Sequence, residues 1–270
     1  MTSSPRWAAT LAAIVVLVNL PHPATGQAAP IEVTGATRVE IDEGSGLWRL
    51  SGSPVTIRRG AVVLRAPRIT YHTTQQVVEA SGGVTYADPT AALTSAAATV
   101  WLAEERLVAT GGVEGTFRTE DGDTRLKADR VEAWRKERRI VATGSVTLAR
   151  AAMTLTGERI EYDDARRQAV ATGRPTVTAS GATLTADRIE AALATEELTA
   201  AGGVQIRKGD IEAAAPNAVV RNRDGLATLT GGVTVRQGQI VATAPTVVIN
   251  LRTNTVTATG GATLTLPPPP

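Results

Sequence analysis

One phrase, roughly Val-x-Ala-Thr-Gly-Gly-Val-Thr-Val, returns along the chain eight times. Its first glycine stands at Gly52, Gly82, Gly111, Gly144, Gly173, Gly202, Gly231 and Gly260, at intervals of 30, 29, 33, 29, 29, 29 and 29 residues. A period this regular restricts the fold to stacked copies of one small unit, because a single copy cannot bury its apolar side chains alone. A second phrase keeps step with the first. Sixteen residues before the glycine stands a small residue, at Ala36, Ala66, Ala128, Gly157, Ala186, Ala215 and Ala244. The clearest copies are Ala128-Asp-Arg-Val-Glu132, Gly157-Glu-Arg-Ile-Glu161 and Ala186-Asp-Arg-Ile-Glu190. The Gly111 repeat is degenerate here, and the 33-residue interval has its extra length near Arg118–Asp123, a polar run that predicts an extended hairpin tip.

Alternation within the repeat identifies it as β-structure. Ile140, Ala142, Val146 and Leu148 share one parity, as do Leu198, Ala200, Val204 and Ile206; Thr, Ser, Gln and Arg mostly occupy the other, with Val108, Val141 and Val170 as exceptions. Period two over about nine residues predicts a strand with one buried face. The central glycine reads as a bend where the strand folds over, with a tight Gly-Gly hairpin as the alternative. The second phrase changes parity at Asp187-Arg188, between Leu184/Ala186 and Ile189/Ala191, which marks a bulge or corner. Polar turns at Arg59-Gly60, Ser180-Gly181, Lys208-Gly209 and Gln237-Gly238 form one set; Glu43–Gly46, Lys136–Arg138 and Asp224-Gly225 form another. Such short turns join antiparallel neighbours, so about sixteen strands are expected in a stack on the order of 75 Å long.

Composition narrows the chemistry. The chain has no cysteine and two histidines, His22 and His72, so thiolate chemistry is excluded and an imidazole metal site is not expected. Aromatic residues are only 3%, so the core must be built from small aliphatic side chains. The formal charge is +2, and no basic cluster is interleaved with aromatics, so nucleic-acid binding is not expected. Arg6, a short apolar run over residues 7–20 and a small-residue exit before Ala28 have the layout of a secretory signal, assigned to residues 1–28. Pro267–Pro270 reads as a loose tail. Asp121/Asp123 and Asp163/Asp164 pair carboxylates in turns without further ligands, and Arg135–Arg139 reads as a solvated turn. Arg and Glu of the second phrase should face outward and pair across strands. Tyr71, Tyr162, Trp101 and Trp134 read as packing at the rim.

The alternating words Ala-Asp-Arg-Ile/Val-Glu and Thr-Gly-x-Val-x-Val in an exported chain resemble the LptA/LptC/OstA-like group of lipopolysaccharide-transport proteins, over residues 31–266. The resemblance implies an all-β fold, an elongated, V-shaped antiparallel β-jellyroll built here from about eight repeats of about 29 residues. It implies a periplasmic bridge that carries lipopolysaccharide or a similar lipid from inner to outer membrane in an apolar groove, without catalytic residues or cofactors. The partners it implies are LptC-like and LptD-like proteins, joined by edge-strand pairing, with head-to-tail self-association of the chain. Inner-face parity assigns to that groove Ile69, Val78, Leu107, Val113, Val131 and Ile140, followed by Val146, Ile160, Ile189, Leu198, Val204 and Val233. Inner alanines such as Ala80, Ala109, Ala142, Ala171, Ala200 and Ala258 leave it room. Two other readings stand beside this one. A structural β-solenoid would have the same repeats around a closed core, and an LptC-like subunit would keep residues 7–20 as an anchor.

Overall fold

The computed structural model describes residues 31–89, 91–119 and 122–266. The signal segment, the anchor reading of residues 7–20, His22, Asp121 and the proline tail lie outside the described residues. Nineteen strands and no helix are found among those described. They belong to two compact units, an N-terminal one of residues 31–146 and 161–165 and a C-terminal one of residues 147–160 and 166–266.

The N-terminal unit holds β1 (Ile31–Asp42), β2 (Leu47–Arg59), β3 (Val62–His72), β4 (Val77–Ala87), β5 (Ala91–Trp101), β6 (Arg106–Thr119) and β7 (Gly122–Trp134). The strands β8 (Arg139–Arg150) and β9 (Met153–Asp163) are divided between the units. In the C-terminal unit follow β10 (Gln168–Thr172), β11 (Thr176–Ala179), β12 (Ala182–Thr185), β13 (Arg188–Ala192), β14 (Glu197–Lys208), β15 (Ile211–Arg221), β16 (Leu226–Gln237), β17 (Ile240–Asn250), β18 (Thr255–Thr259) and β19 (Thr263–Thr265). Three successive pairs, β10/β11, β12/β13 and β18/β19, are the two halves of what elsewhere is one bent strand. Counting each pair once gives the sixteen strands expected.

Each strand meets its sequence neighbour antiparallel, and nearly every register breaks at the glycine phrase. The β14–β15 register shifts between Ala201 and Val204, and the β4–β5 register between Ser81 and Val84. The glycines are therefore bends within a strand, and the hairpin alternative does not occur. Gly202 shows why a glycine is needed there. Its φ is +78°, and a Cβ on it would lie 2.9 Å from the Cβ of Asp187. That aspartate cannot withdraw easily, because its backbone N–H donates to the Gly202 carbonyl at 2.8 Å. In other repeats the residue over the glycine is a proline, as Pro216 lies over Gly231. The parity change predicted at Asp187-Arg188 falls at the two-residue gap, Ala186-Asp187, between β12 and β13.

The bend divides every strand into two arms. First arms end at four-residue turns, and second arms end at short turns such as Gly60-Ala61 and Gly209-Asp210. Every four-residue turn closes on a left-handed residue: Gly46, Gln76, Glu105, Arg138, Arg167, Glu196, Gly225 and Asn254, with φ between 50° and 70°. The carbonyl of that residue accepts from the first N–H of the next such turn. In the N-terminal unit the donors are Thr73, Leu102, Arg135 and Asp164, at 2.8–3.0 Å; in the C-terminal unit they are Leu193, Asn222 and Leu251, at 2.7–3.1 Å. Turn groups that would otherwise need water are thus satisfied along the edge. The longer β6–β7 hairpin runs in register to Thr119 opposite Gly122, as its polar tip predicted.

Candidate functional site

The two arms face each other across an apolar interior. In the N-terminal unit one cluster joins Ile69, Ala80 and Ala98 of the first arms to Val55, Ala66 and Val84 of the second. Register turns these into columns. Ile69 stands opposite Ala80, Ala80 opposite Ala98, Ala98 opposite Ala109, and Ala109 opposite Val131. The C-terminal unit repeats the device with Ala171, Ile189, Ala200, Ala218, Leu229 and Val247. Alanines and larger aliphatic side chains share each column, so a single apolar lining runs along each unit.

Ten of the twelve residues assigned to the groove are at most 2% exposed: Ile69, Val113, Val131, Ile140, Val146, Ile160, Ile189, Leu198, Val204 and Val233. Val78 and Leu107 are half-buried. They belong to a column nearer the four-residue turns, where Tyr71 faces Val78, Val78 faces Val100, and Val100 faces Leu107. Of the inner alanines, Ala80, Ala109, Ala142, Ala171 and Ala200 are buried, and Ala258 is half-buried.

Polar groups on the lining are few. In the N-terminal unit Tyr86 donates to Asp88 Oδ2 at 2.7 Å. Burial first, and then the Asp88 carboxylate, push its phenol far above the ordinary tyrosine range. Tyr162 is 1% exposed and donates to Asp164 Oδ1 at 2.8 Å, and Asp164 is also paired with Arg138. Tyr162 is therefore an interior group, not the rim packing predicted from its position. In the C-terminal unit Asn222 is 3% exposed, and neither atom of its amide has a partner. Sequence reading passed over Asn222, although it stands where Leu193 and Leu251 stand in the neighbouring turns.

The outer face carries the charges. Glu132 accepts from Arg130, two residues along its own strand, at 3.0 Å, and from Arg106 Nε on the adjacent strand at 2.6 Å. Arg139 Nε reaches Glu161 at 2.7 Å. Ion pairs thus form within the Arg-x-Glu phrase as well as across strands. The Arg106 guanidinium lies 4.5 Å from the ring centre of Trp101, and that of Arg139 lies 5.0 Å from Trp134, so both tryptophans pack on the outside. Val108, opposite Glu132, is 5% exposed despite its outward parity, a burial that the arginine stems converging on Glu132 account for. The basic run 135–139 is not simply solvated. Arg138 and Arg139 are in the pairs above, and Lys136 Nζ donates to the Ala103 carbonyl at 2.8 Å. His72 Nε2 lies 3.7 Å from Glu79.

Burial pushes the Glu132 carboxyl up, but the Arg130 and Arg106 hydrogen bonds outweigh it and hold it below the usual range. A depressed carboxylate stabilises the fold above its unfolded pKa, and that stability is lost as pH falls through the folded value. Glu132→Gln should therefore lower the unfolding free energy by roughly 1–3 kcal/mol at pH 7. Denaturant midpoints measured down to pH 3 should show the gap between variant and parent closing below about pH 4.

Residues 92–197 match the family described as LptA/(LptD N-terminal domain) LPS transport protein. Over that stretch the chain is LptA/OstA-like. The matched stretch begins in β5 and ends at the start of β14, and it contains seven of the twelve assigned lining residues without interruption, from Leu107 and Val113 to Ile160 and Ile189. Among solved structures, the chain is similar to LptH, the LptA homologous periplasmic component of the conserved lipopolysaccharide transport device from Pseudomonas aeruginosa. Identity there is 16%, the TM-score is 0.30, and the match covers 56% of this chain and 94% of that one. No curated protein matches the sequence.

Proposed function

We propose that this LptA/OstA-like chain is a periplasmic bridge that takes the acyl chains of lipopolysaccharide, or of a similar lipid, between its two arms. The observation that carries the reading is the continuous apolar lining of each unit, together with the family match over residues 92–197. Each methylene moved from water into such a lining is worth about 0.8 kcal/mol, so a few acyl chains suffice for firm retention. The first and last strands support pairing with LptC-like and LptD-like partners, or with a second copy. Val33, Val39 and Ile41 on β1 are 44–54% exposed, and Leu264 and Leu266 at the other end are 57% and 61% exposed. Apolar end strands of this kind are hazards unless another strand covers them.

One observation favours a second reading, the structural solenoid: the interior is nearly closed, with ten lining residues almost fully excluded from water. Carriage then requires the arms to part. Photo-crosslinkers placed at Leu107 and Val78, the half-buried lining positions, distinguish the two in intact cells. The carrier reading expects lipid adducts from both and none from Thr99 or Thr228 on the outer face. Adducts from the outer positions alone would leave only the structural reading.

A further inference from the structure

The interior of the C-terminal unit holds one group that the fold does not use. The first residue of each four-residue turn continues the inner parity of its strand, and here these residues are Leu193, Asn222 and Leu251. They are 6%, 3% and 3% exposed. The leucines continue the apolar lining; Asn222 interrupts it with an amide whose Oδ1 and Nδ2 are both without a partner. The backbone of Asn222 is satisfied independently, since its N–H donates to Glu196 at 3.1 Å and its carbonyl accepts from Gly225 at 3.2 Å. The side chain is thus not needed to close the turn. Asn250, just before the next turn, shows the contrast, because its Oδ1 accepts from the N–H groups of Arg252 and Thr253 at 2.9 and 3.1 Å. A buried amide left open on both its donor and its acceptor side destabilises a fold unless something else fills it.

A cation stands at the same stretch of the interior. Lys208, at the end of the β14 second arm, extends across to the first-arm turn, where its Nζ donates to the Leu251 carbonyl. It therefore straps the free ends of the two arms together. Leu251 is one hairpin along from Asn222, about 10 Å at two strand spacings. Its backbone carbonyl is a neutral acceptor that an anionic oxygen would outcompete.

We propose that Asn222 and Lys208 anchor the headgroup of a phosphorylated, amide-linked acyl lipid. The Asn222 Oδ1 accepts from the N–H at the root of the acyl chain, whose trans amide points its carbonyl the other way, and Nδ2 donates to a second oxygen of the headgroup. Lys208 exchanges the Leu251 carbonyl for the phosphate, so the strap opens as the headgroup arrives. This rests on the reading that the interior takes up acyl chains.

Binding of three probes to the full chain tests it: N-dodecanoylethanolamine O-phosphate, its dephosphorylated form, and dodecyl phosphate. Asn222→Leu, which restores the residue of the adjoining turns, should raise Tm by about 2–6 °C. The same change should weaken both amide-bearing probes about tenfold and dodecyl phosphate little. Lys208→Met should weaken the two phosphorylated probes and leave N-dodecanoylethanolamine unchanged. Higher Tm with unaltered binding in Asn222→Leu would assign the amide to an interior water and overturn the anchor. Equal binding of all three probes to parent and variants would overturn the anchor while leaving the carrier reading intact. Failure of the parent chain to bind any of them would overturn both.

Discussion

Gly202→Val is expected to lower the unfolding free energy by roughly 3–5 kcal/mol, read as a fall in the urea midpoint or Tm. Two separate terms add. The position has a φ of +78°, where a β-branched residue is strained by about 1–3 kcal/mol. The new side chain must also displace Asp187, whose Cβ would lie 2.9 Å from the added Cβ. Overpacking of that sort costs about another 1–3 kcal/mol. Gly203→Ala is the control. Its φ is +54° and nothing lies within 4 Å of the added carbon, so only about 1 kcal/mol of strain is expected. The chain itself performs this second experiment, since Ser145 and Arg174 occupy the corresponding place at φ 47° and 54°. A loss from Gly203→Ala equal to that from Gly202→Val would mean that backbone strain alone makes the corner.

Phe117→Ala should have an effect of similar size, roughly 3–5 kcal/mol. Phe117 is the chain's single phenylalanine and is 0% exposed. Its ring lies over Gly115, whose added Cβ would lie 3.0 Å from the ring Cζ. In the second-arm column Leu93 faces Gly115, and Gly115 faces Leu126. The glycine leaves a gap in that column, and the ring fills it. Truncation therefore opens a cavity between two leucines, in a chain with few large side chains able to collapse into it. Gly115→Ala should destabilise less, because a ring can tilt where a backbone cannot. If Phe117→Ala loses under 1 kcal/mol, the interior there is already loose and the column account is wrong.

Much of the fold was legible beforehand, for a local reason. Strand parity, bend and turn recur within about 29 residues, so each copy corroborated the others. The bend at Gly202, the parity change at Asp187-Arg188 and the sixteen-strand count all came from spacing. The buried face was legible too, since Leu198 and Ala200, and beyond the corner Ile189 and Ala191, alternate with polar residues along their strands and are buried. Two assignments needed the fold. Tyr162 proved to be interior because Asp164, itself paired with Arg138, accepts from its hydroxyl there. Val108 is shielded on the outer face, where the pattern of alternation expected a polar residue.

From sequence alone came the repeat, the bent antiparallel strands and the choice of buried face, because each depends on neighbours within one or two strands. Only the tertiary structure decided that Asp187 covers Gly202, that Lys208 reaches the Leu251 carbonyl, and that the Asn222 amide is left open. Those relations depend on how far one arm folds toward the other. That angle is set by side-chain packing summed over many rungs, and no single repeat encodes it.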